Sequence, residues 1–201
     1  MKYTWLIDSG HGGMIAGKYQ TAPEKMHVHQ DGSIFHEGVF NRDIKHMFID
    51  KLMARDIKCI DLCPTELDLP LDIRVNVANT YYNKYGNTVL ISLHSNAGGG
   101  TGFEVWTSYG QTRSDNFAQV LGEQLIEDFP EIEYRPDTAN DDLVKDSLFY
   151  ILKWTHGPAI LPECLFFDNW NDFKKLVDPD FQNDYVDSLV RFVQKAEATN
   201  I

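Results

Sequence analysis

Only three cysteines, Cys59, Cys63 and Cys164, occur in 201 residues. Their odd number and wide spacing exclude a disulfide framework and point to synthesis in a reducing compartment. No run approaches the roughly 18 uncharged apolar residues that a membrane helix needs, so membrane insertion is not expected. The opening segment, Met1-Lys2-Tyr3-Thr4-Trp5-Leu6-Ile7-Asp8, meets an acid before any apolar stretch of signal-peptide length. No export signal is expected in this chain, although a leader already removed would leave the same picture. Cations are scarce as well: 18 Lys and Arg stand against 30 Asp and Glu, a formal net charge of −12. That balance excludes the clustered cations of a nucleic-acid surface. It also argues against nonspecific docking to anionic polymers, so recognition must rest on local geometry. Internal repeats, low-complexity tracts and linkers are absent, and a single domain over residues 1–201 is expected.

What is present is an alternation of short apolar runs and amphipathic stretches. Residues 3–8 run into Ser9-Gly10-His11-Gly12-Gly13, a strand entering a glycine-rich loop, and 13–36 reads as a long surface loop. Val39, Phe40, Ile44, Met47, Phe48 and Leu52 recur at helical spacing within 37–55. A strand is expected at 57–62 and a helix at 71–85. The β-branched and apolar run 88–93 predicts a buried strand, and 102–107 another. A helix over 116–128 stops at Phe129-Pro130, followed by an irregular acidic loop over 130–146. The apolar segments 148–153 and 159–162 predict two strands, and 181–196 a closing amphipathic helix. Strands alternating with helices predict a three-layer α/β fold, a largely parallel sheet between helices.

Four residues stand at the ends of these elements. His11 follows the first strand, Glu37 opens the first helix, and His94 follows the strand 88–93. Sites in open α/β sheets assemble at the carboxyl ends of strands, where such side chains converge. Two imidazoles and a carboxylate are a recurrent catalytic zinc set that leaves a fourth position for water. Zinc lowers the pKa of that water from roughly 15.7 to about 7. A further carboxylate is then needed to move protons, and Glu163, closing the run Pro158-Ala159-Ile160-Leu161-Pro162, is the candidate. Each residue alone has a plainer reading: a loop histidine, a carboxylate complementing a helix dipole, an ordinary ion-pair partner. Their joint placement at four element ends favours a site.

The strings around these residues resemble the zinc-dependent N-acetylmuramoyl-L-alanine amidases of the amidase-3 family. They are Ile7-Asp8-Ser9-Gly10-His11-Gly12-Gly13, His36-Glu37-Gly38-Val39-Phe40-Asn41, Arg74-Val75-Asn76-Val77-Ala78-Asn79 and Ile91-Ser92-Leu93-His94-Ser95-Asn96-Ala97. Gly102-Phe103-Glu104-Val105 and Pro158-Ala159-Ile160-Leu161-Pro162-Glu163-Cys164-Leu165-Phe166-Phe167-Asp168-Asn169 complete the series, in the family's order and over almost the whole chain. The resemblance implies a mixed sheet of about six strands, His11, Glu37 and His94 as ligands to Zn2+, and Glu163 as catalytic acid/base. The implied substrate is peptidoglycan, cut between the lactyl group of N-acetylmuramic acid and L-alanine. Three departures stand out: Ser9 in place of the usual proline, a longer stretch between His11 and Glu37, and Pro162 before Glu163, which suggests an edge strand.

Other candidates carry two readings each. His36 adjoins Glu37, but neighbours on a helix point about 100° apart and do not share one ion. His27 and His29, in the long loop at strand-like spacing, read as a transient metal contact or substrate rim, or more plainly as surface histidines. His156 reads equally as a cleft residue, holding an oxyanion or a substrate carboxylate, and as a plain turn residue. Asn96 faces either substrate or a helix contact, and Arg74 reads as structural support. Glu104 orients a zinc-binding histidine from behind or simply lies on an exposed sheet face. Tyr109, Trp154 and Trp170 line a sugar groove or fill the core. Cys164 lacks a local activating signature and reads as packing. Two rival functions follow, a zinc carboxypeptidase and a wall-binding module without catalysis. The first needs a cationic pocket and no basic residue lies in the site strings; the second should lack one of the four residues. A monomer is expected, acting on the cell wall either as a phage lysin held in the host cytoplasm until release or as a trimmed secreted enzyme.

Overall fold

Alternation along the strands divides the core in two. Trp5, Ile7, Val89 and Ile91 pack in one hydrophobic cluster, and Leu6, Leu90, Ala159 and Leu161 in another, as side chains of successive strand residues must. The computed structural model describes residues 1–137, 142–199 and 201. Its central sheet contains β1 (Thr4–Ser9), β6 (Cys59–Asp61), β7 (Thr88–Asn96), β8 (Glu104–Ser108), β9 (Lys145–Ser147) and β10 (Ala159–Phe166). The spatial order is β6-β1-β7-β10-β8-β9, with β8 antiparallel to β10 and the other neighbours parallel. The expected six-stranded mixed α/β sheet is therefore present.

The larger cluster is covered by α1 (Glu37–Met53), α3 (Arg113–Asp128) and α6 (Pro179–Ala198), the smaller by α2 (Leu71–Tyr85) and α4 (Tyr150–Trp154). Each helix has a local cause. In α3, Thr112 and Asp115 form a reciprocal capping box. Asp178 caps α6, Pro179 occupies its first turn, and Val186, Leu189, Val190 and Val193 form its buried stripe. Gly86, at φ 74°, ends α2 in the left-handed conformation that L side chains resist. A short α5 (Trp170–Leu176), capped by Asn169, was not expected from the sequence.

Three expectations are corrected. The segment 148–153 is not a strand: Ile151 and Leu152 are buried on α4, and an apolar run this short does not distinguish helix from strand. Pro162 is not on an edge, because β10 lies between β7 and β8. Pro162 pairs with Val105 on the β8 side, while register with β7 skips from Ile160 to Glu163. The ring's missing donor thus interrupts one ladder only. The stretch 13–36 is no open loop either but holds two small hairpins, β2 (Met14–Ile15) with β3 (Lys18–Tyr19), and β4 (Met26–Val28) with β5 (Ile34–His36). Residues 138–141, within the acidic loop expected at 130–146, lie outside the described residues.

Candidate active site and metal centre

From β1 the chain builds outward to β6 on one side, then returns across to β7 on the other. A crevice opens at such a switch point, beyond the carboxyl ends of the diverging strands. His11 leaves β1 there. His94 lies near the end of β7, which runs on to Asn96, so the histidine is part of the strand rather than just beyond it. Glu163 lies in mid-β10 rather than at a terminus, and its register partner on β7 is His94. Parallel neighbours in register present side chains on the same face, so hydrogen bonding of the sheet itself puts this carboxyl beside this imidazole. Beyond Glu163 the register shifts through a bulge, with Leu165 held at φ 56°.

Glu37 is brought in from the other layer. The first N–H groups of a helix have no partner within it, and His36 offers α1 no side-chain cap. The hairpins supply the missing acceptors: Glu37 N donates to the Lys25 carbonyl at 3.0 Å and Gly38 N to the Tyr19 hydroxyl at 2.9 Å. The buried Glu37 side chain then places Oε1 3.2 Å from His11 Nε2 and 3.0 Å from His94 Nδ1. Burial raises the proton affinity of its carboxyl, but hydrogen bonds and charge from His11 and His94 outweigh that and hold its pKa well below the usual range.

Close approach makes demands on glycine. A Cβ on Gly10 would fall 2.1 Å from His94 Cε1, and one on Gly38 would fall 2.0 Å from the Gly12 carbonyl oxygen. His11 itself adopts φ 66°, an uncommon conformation for a side-chain-bearing residue. Arg74 holds it: its guanidinium donates to Asp8 Oδ1 at 2.8 Å, the Ser9 carbonyl at 2.6 Å and the His11 carbonyl at 3.0 Å. Both Arg74 and Asp8 are buried. Burial raises the Asp8 pKa, while the Arg74 charge and hydrogen bonds from Ser92 and Cys63 bring it below the ordinary value. The expected structural role of Arg74 thus takes a concrete form.

These residues fit a metal ion. One donor atom from each of His11, Glu37 and His94 lies within 4.8 Å of the others. The 3.0 and 3.2 Å separations are close to the edge of a zinc coordination tetrahedron, about 3.4 Å. Glu163 Oε2 is buried without a hydrogen-bond partner among the described residues, and the buried His11 Nε2 faces the Glu37 carboxylate at 3.2 Å. Buried polar atoms are rarely left so, and this oxygen beside the two imidazoles suits a bound group in the crevice. Burial, then the charge of Glu37, pushes the Glu163 carboxyl well above its usual pKa, with Lys25 opposing.

Around this centre lie three connected hollows of about 390, 490 and 200 Å3, and Lys25 lines all of them. Asn96 lines the 490 Å3 hollow with Glu163, its amide fixed by donation to Glu104 Oε2 at 2.9 Å. Glu104 touches neither imidazole. Its oxygens accept from Asn96, Trp106, Arg135 and Lys145, so it anchors Asn96 and the β8 side of the cleft instead of a histidine. His156 is far from the cleft: it precedes β10, beside Tyr82, and a parallel strand begins at the opposite end of the sheet from the carboxyl ends. His29 is buried against the Phe167 carbonyl at 3.1 Å rather than at the surface. His36 packs on Tyr19, away from the centre. Tyr109, Trp154 and Trp170 are exposed, not core. Two cleft features were missed from sequence: Lys25, and an apolar wall of Leu71, Phe149 and Tyr150. The visible signal for Lys25 was that it is one of only two lysines, with Lys18, in the long segment separating two ligand candidates.

Known proteins resemble the chain throughout. N-acetylmuramoyl-L-alanine amidase CwlM of Bacillus licheniformis is 28% identical over 173 residues, covering 85% of this chain and 59% of CwlM. The chain therefore spans little more than half the length of that relative. The N-acetylmuramoyl-L-alanine amidase from Clostridium difficile 630 superimposes with a TM-score of 0.78 at 23% identity, over 99% of this chain and 98% of that one. The catalytic domain of CwlV, the amidase from Bacillus (Paenibacillus) polymyxa var. colistinus, superimposes at 0.75 and 20% identity, with both chains fully covered. At such identities these structures establish the fold. The model of the amidase-3 family, described as N-acetylmuramoyl-L-alanine amidase, matches residues 6–195, and the chain belongs to that family.

Proposed function

We propose that this chain is a zinc-dependent peptidoglycan amidase that hydrolyses the amide between the lactyl group of N-acetylmuramic acid and L-alanine. The observation that carries the reading is the convergence of His11 and His94 on Glu37 at one crevice, with Glu163 lining it and presenting a buried oxygen that lacks a partner among the described residues. His11, Glu37 and His94 would hold the ion. When bound, zinc supplies Lewis acidity toward the scissile carbonyl and a water acidic enough to attack near neutral pH. Glu163 takes the proton of that water on its carboxylate as the C–O bond forms. It returns the proton to the amide nitrogen as the C–N bond breaks, leaving a lactyl carboxylate and a free alanine amine. Burial suits Glu163 to this work, since a carboxyl with raised proton affinity is a stronger base. Arg74 and Asp8 keep His11 in place, and Asn96, fixed by Glu104, offers a polar contact to substrate.

Mass spectrometry of wall fragments after digestion tests the reading. The expected products are uncut glycan strands and peptides with a new alanine amino terminus; a chelator abolishes their release and one equivalent of zinc restores it. Peptides shortened from their carboxyl ends, or glycan cleavage, would replace the reading with another hydrolase.

A further inference from the structure

Lys25 occupies an unusual position for a surface lysine. Its backbone is fixed at φ 56°, with its carbonyl receiving hydrogen bonds from Glu37 N at 3.0 Å and the Tyr19 hydroxyl at 3.1 Å. The first of these is the amide of a ligand candidate, so the lysine is registered to the centre through one hydrogen bond. No hydrogen bond or ion pair occupies its ammonium among the described residues. Arg74 in the cleft is already engaged by Asp8, and Arg135 and Lys145, on the β8 side, are engaged by Glu104. Among the described residues, Lys25 alone lines all three hollows. Two of them are rimmed with acids, including Glu24, Asp68 and Asp168. In the third, Lys25 and Glu163 are the only residues of opposite charge, and the rest of the wall includes Leu71, Phe149 and Tyr150.

A protein of net charge −12 repels anionic substrate groups in general. An ammonium with no hydrogen bond or ion pair among the described residues, at the exposed mouth of the cleft beside Leu71, Phe149 and Tyr150, can accept one carboxylate through a charge-assisted hydrogen bond. We infer that Lys25 and the wall of Leu71, Phe149 and Tyr150 form a subsite for a free carboxylate of the wall peptide, selecting peptides whose carboxyl nearest the scissile bond is not amidated. The inference rests on the amidase reading and adds a substrate preference to it.

The test uses pairs of muramyl peptides identical except that this carboxyl is free or carboxamide. Wild-type chain is expected to show a KM about ten-fold lower for the free acid, with kcat alike. Lys25→Met should remove that difference by weakening the acid alone, and Lys25→Arg should restore most of it. Equilibrium binding of the same pair to Glu163→Gln chain decides the subsite without turnover. If neither peptide is hydrolysed but the acid still binds better in a Lys25-dependent way, the amidase reading fails and the subsite stands. Equal binding of acid and amide overturns the subsite. So does a Lys25→Met variant whose kcat falls equally on both peptides, the signature of a lysine acting on the reacting carbonyl.

Discussion

Replacing Glu163 by glutamine separates chemistry from structure, because the two should move in opposite directions. Glutamine keeps the shape of the side chain but cannot accept a proton from water. Loss of a general acid/base reduces turnover by about 10²- to 10⁴-fold, or roughly 3–5 kcal/mol of barrier. Stability should not fall. The Glu163 carboxyl is buried, one of its oxygens lacks a partner, and its ionised form is opposed by burial first and by Glu37 second. Because its folded pKa lies well above 4.5, the folded state holds this proton more tightly than the unfolded chain. In the metal-free protein that contribution is complete below pH 4.5 and is lost as pH rises through the folded value. Glu163→Gln removes the pH-dependent loss, so the metal-free variant should melt at or above the wild-type temperature at pH 7. Calorimetry, zinc analysis and amide hydrolysis on the same preparations measure all three quantities. A variant with one zinc per chain and activity within a few-fold of wild type would refute the role of Glu163.

Other outcomes follow from the same geometry. His94→Ala or His11→Ala should reduce bound zinc from one per chain to near zero while far-ultraviolet circular dichroism stays native; full zinc content in either variant would remove it from the ligand set. Arg74→Met strands the buried Asp8 carboxylate and should cost about 3–5 kcal/mol, lowering the melting temperature by roughly 6–20 °C for a chain of this size. Asp8→Asn in the same background should recover part of that loss. Gly38→Ala drives a methyl toward the Gly12 carbonyl, so α1 and the His11 loop must part. A displacement near 1 Å at a catalytic centre costs about 10²-fold in rate, and wild-type kinetics in this variant would show that the contact is dispensable.

Much of this architecture was legible in the residues because it follows from period and chain ends. Short continuous apolar runs mark β1 and β7, a 3.6-residue period marks α1 and α6, and the residues closing those elements are the ones a crevice can use. His11, Glu37 and His94 were found that way and do meet. What was illegible depends on tertiary context. His156 looked close to Glu163 because only six residues lie between them, yet extended chain over that stretch carries His156 toward the amino end of β10, away from the crevice at the carboxyl ends. Pro162 suggested an edge, but one absent donor interrupts only one of two ladders. Glu104 sits next to Glu163 across the β8–β10 pairing, and only side-chain rotamers decide that it serves Asn96 rather than a histidine. Lys25 lies in hairpins whose positions are set by the unsatisfied amides of α1, a tertiary bond with no signature in local spacing.

The hydrogen bond from the Glu37 amide to the Lys25 carbonyl has a mechanical consequence. A flap that swung away to admit substrate would pull on a residue at the heart of the reaction centre. Any opening of the Lys25 segment must break that bond or carry Glu37 with it, so the segment and the start of α1 are expected to move as one body.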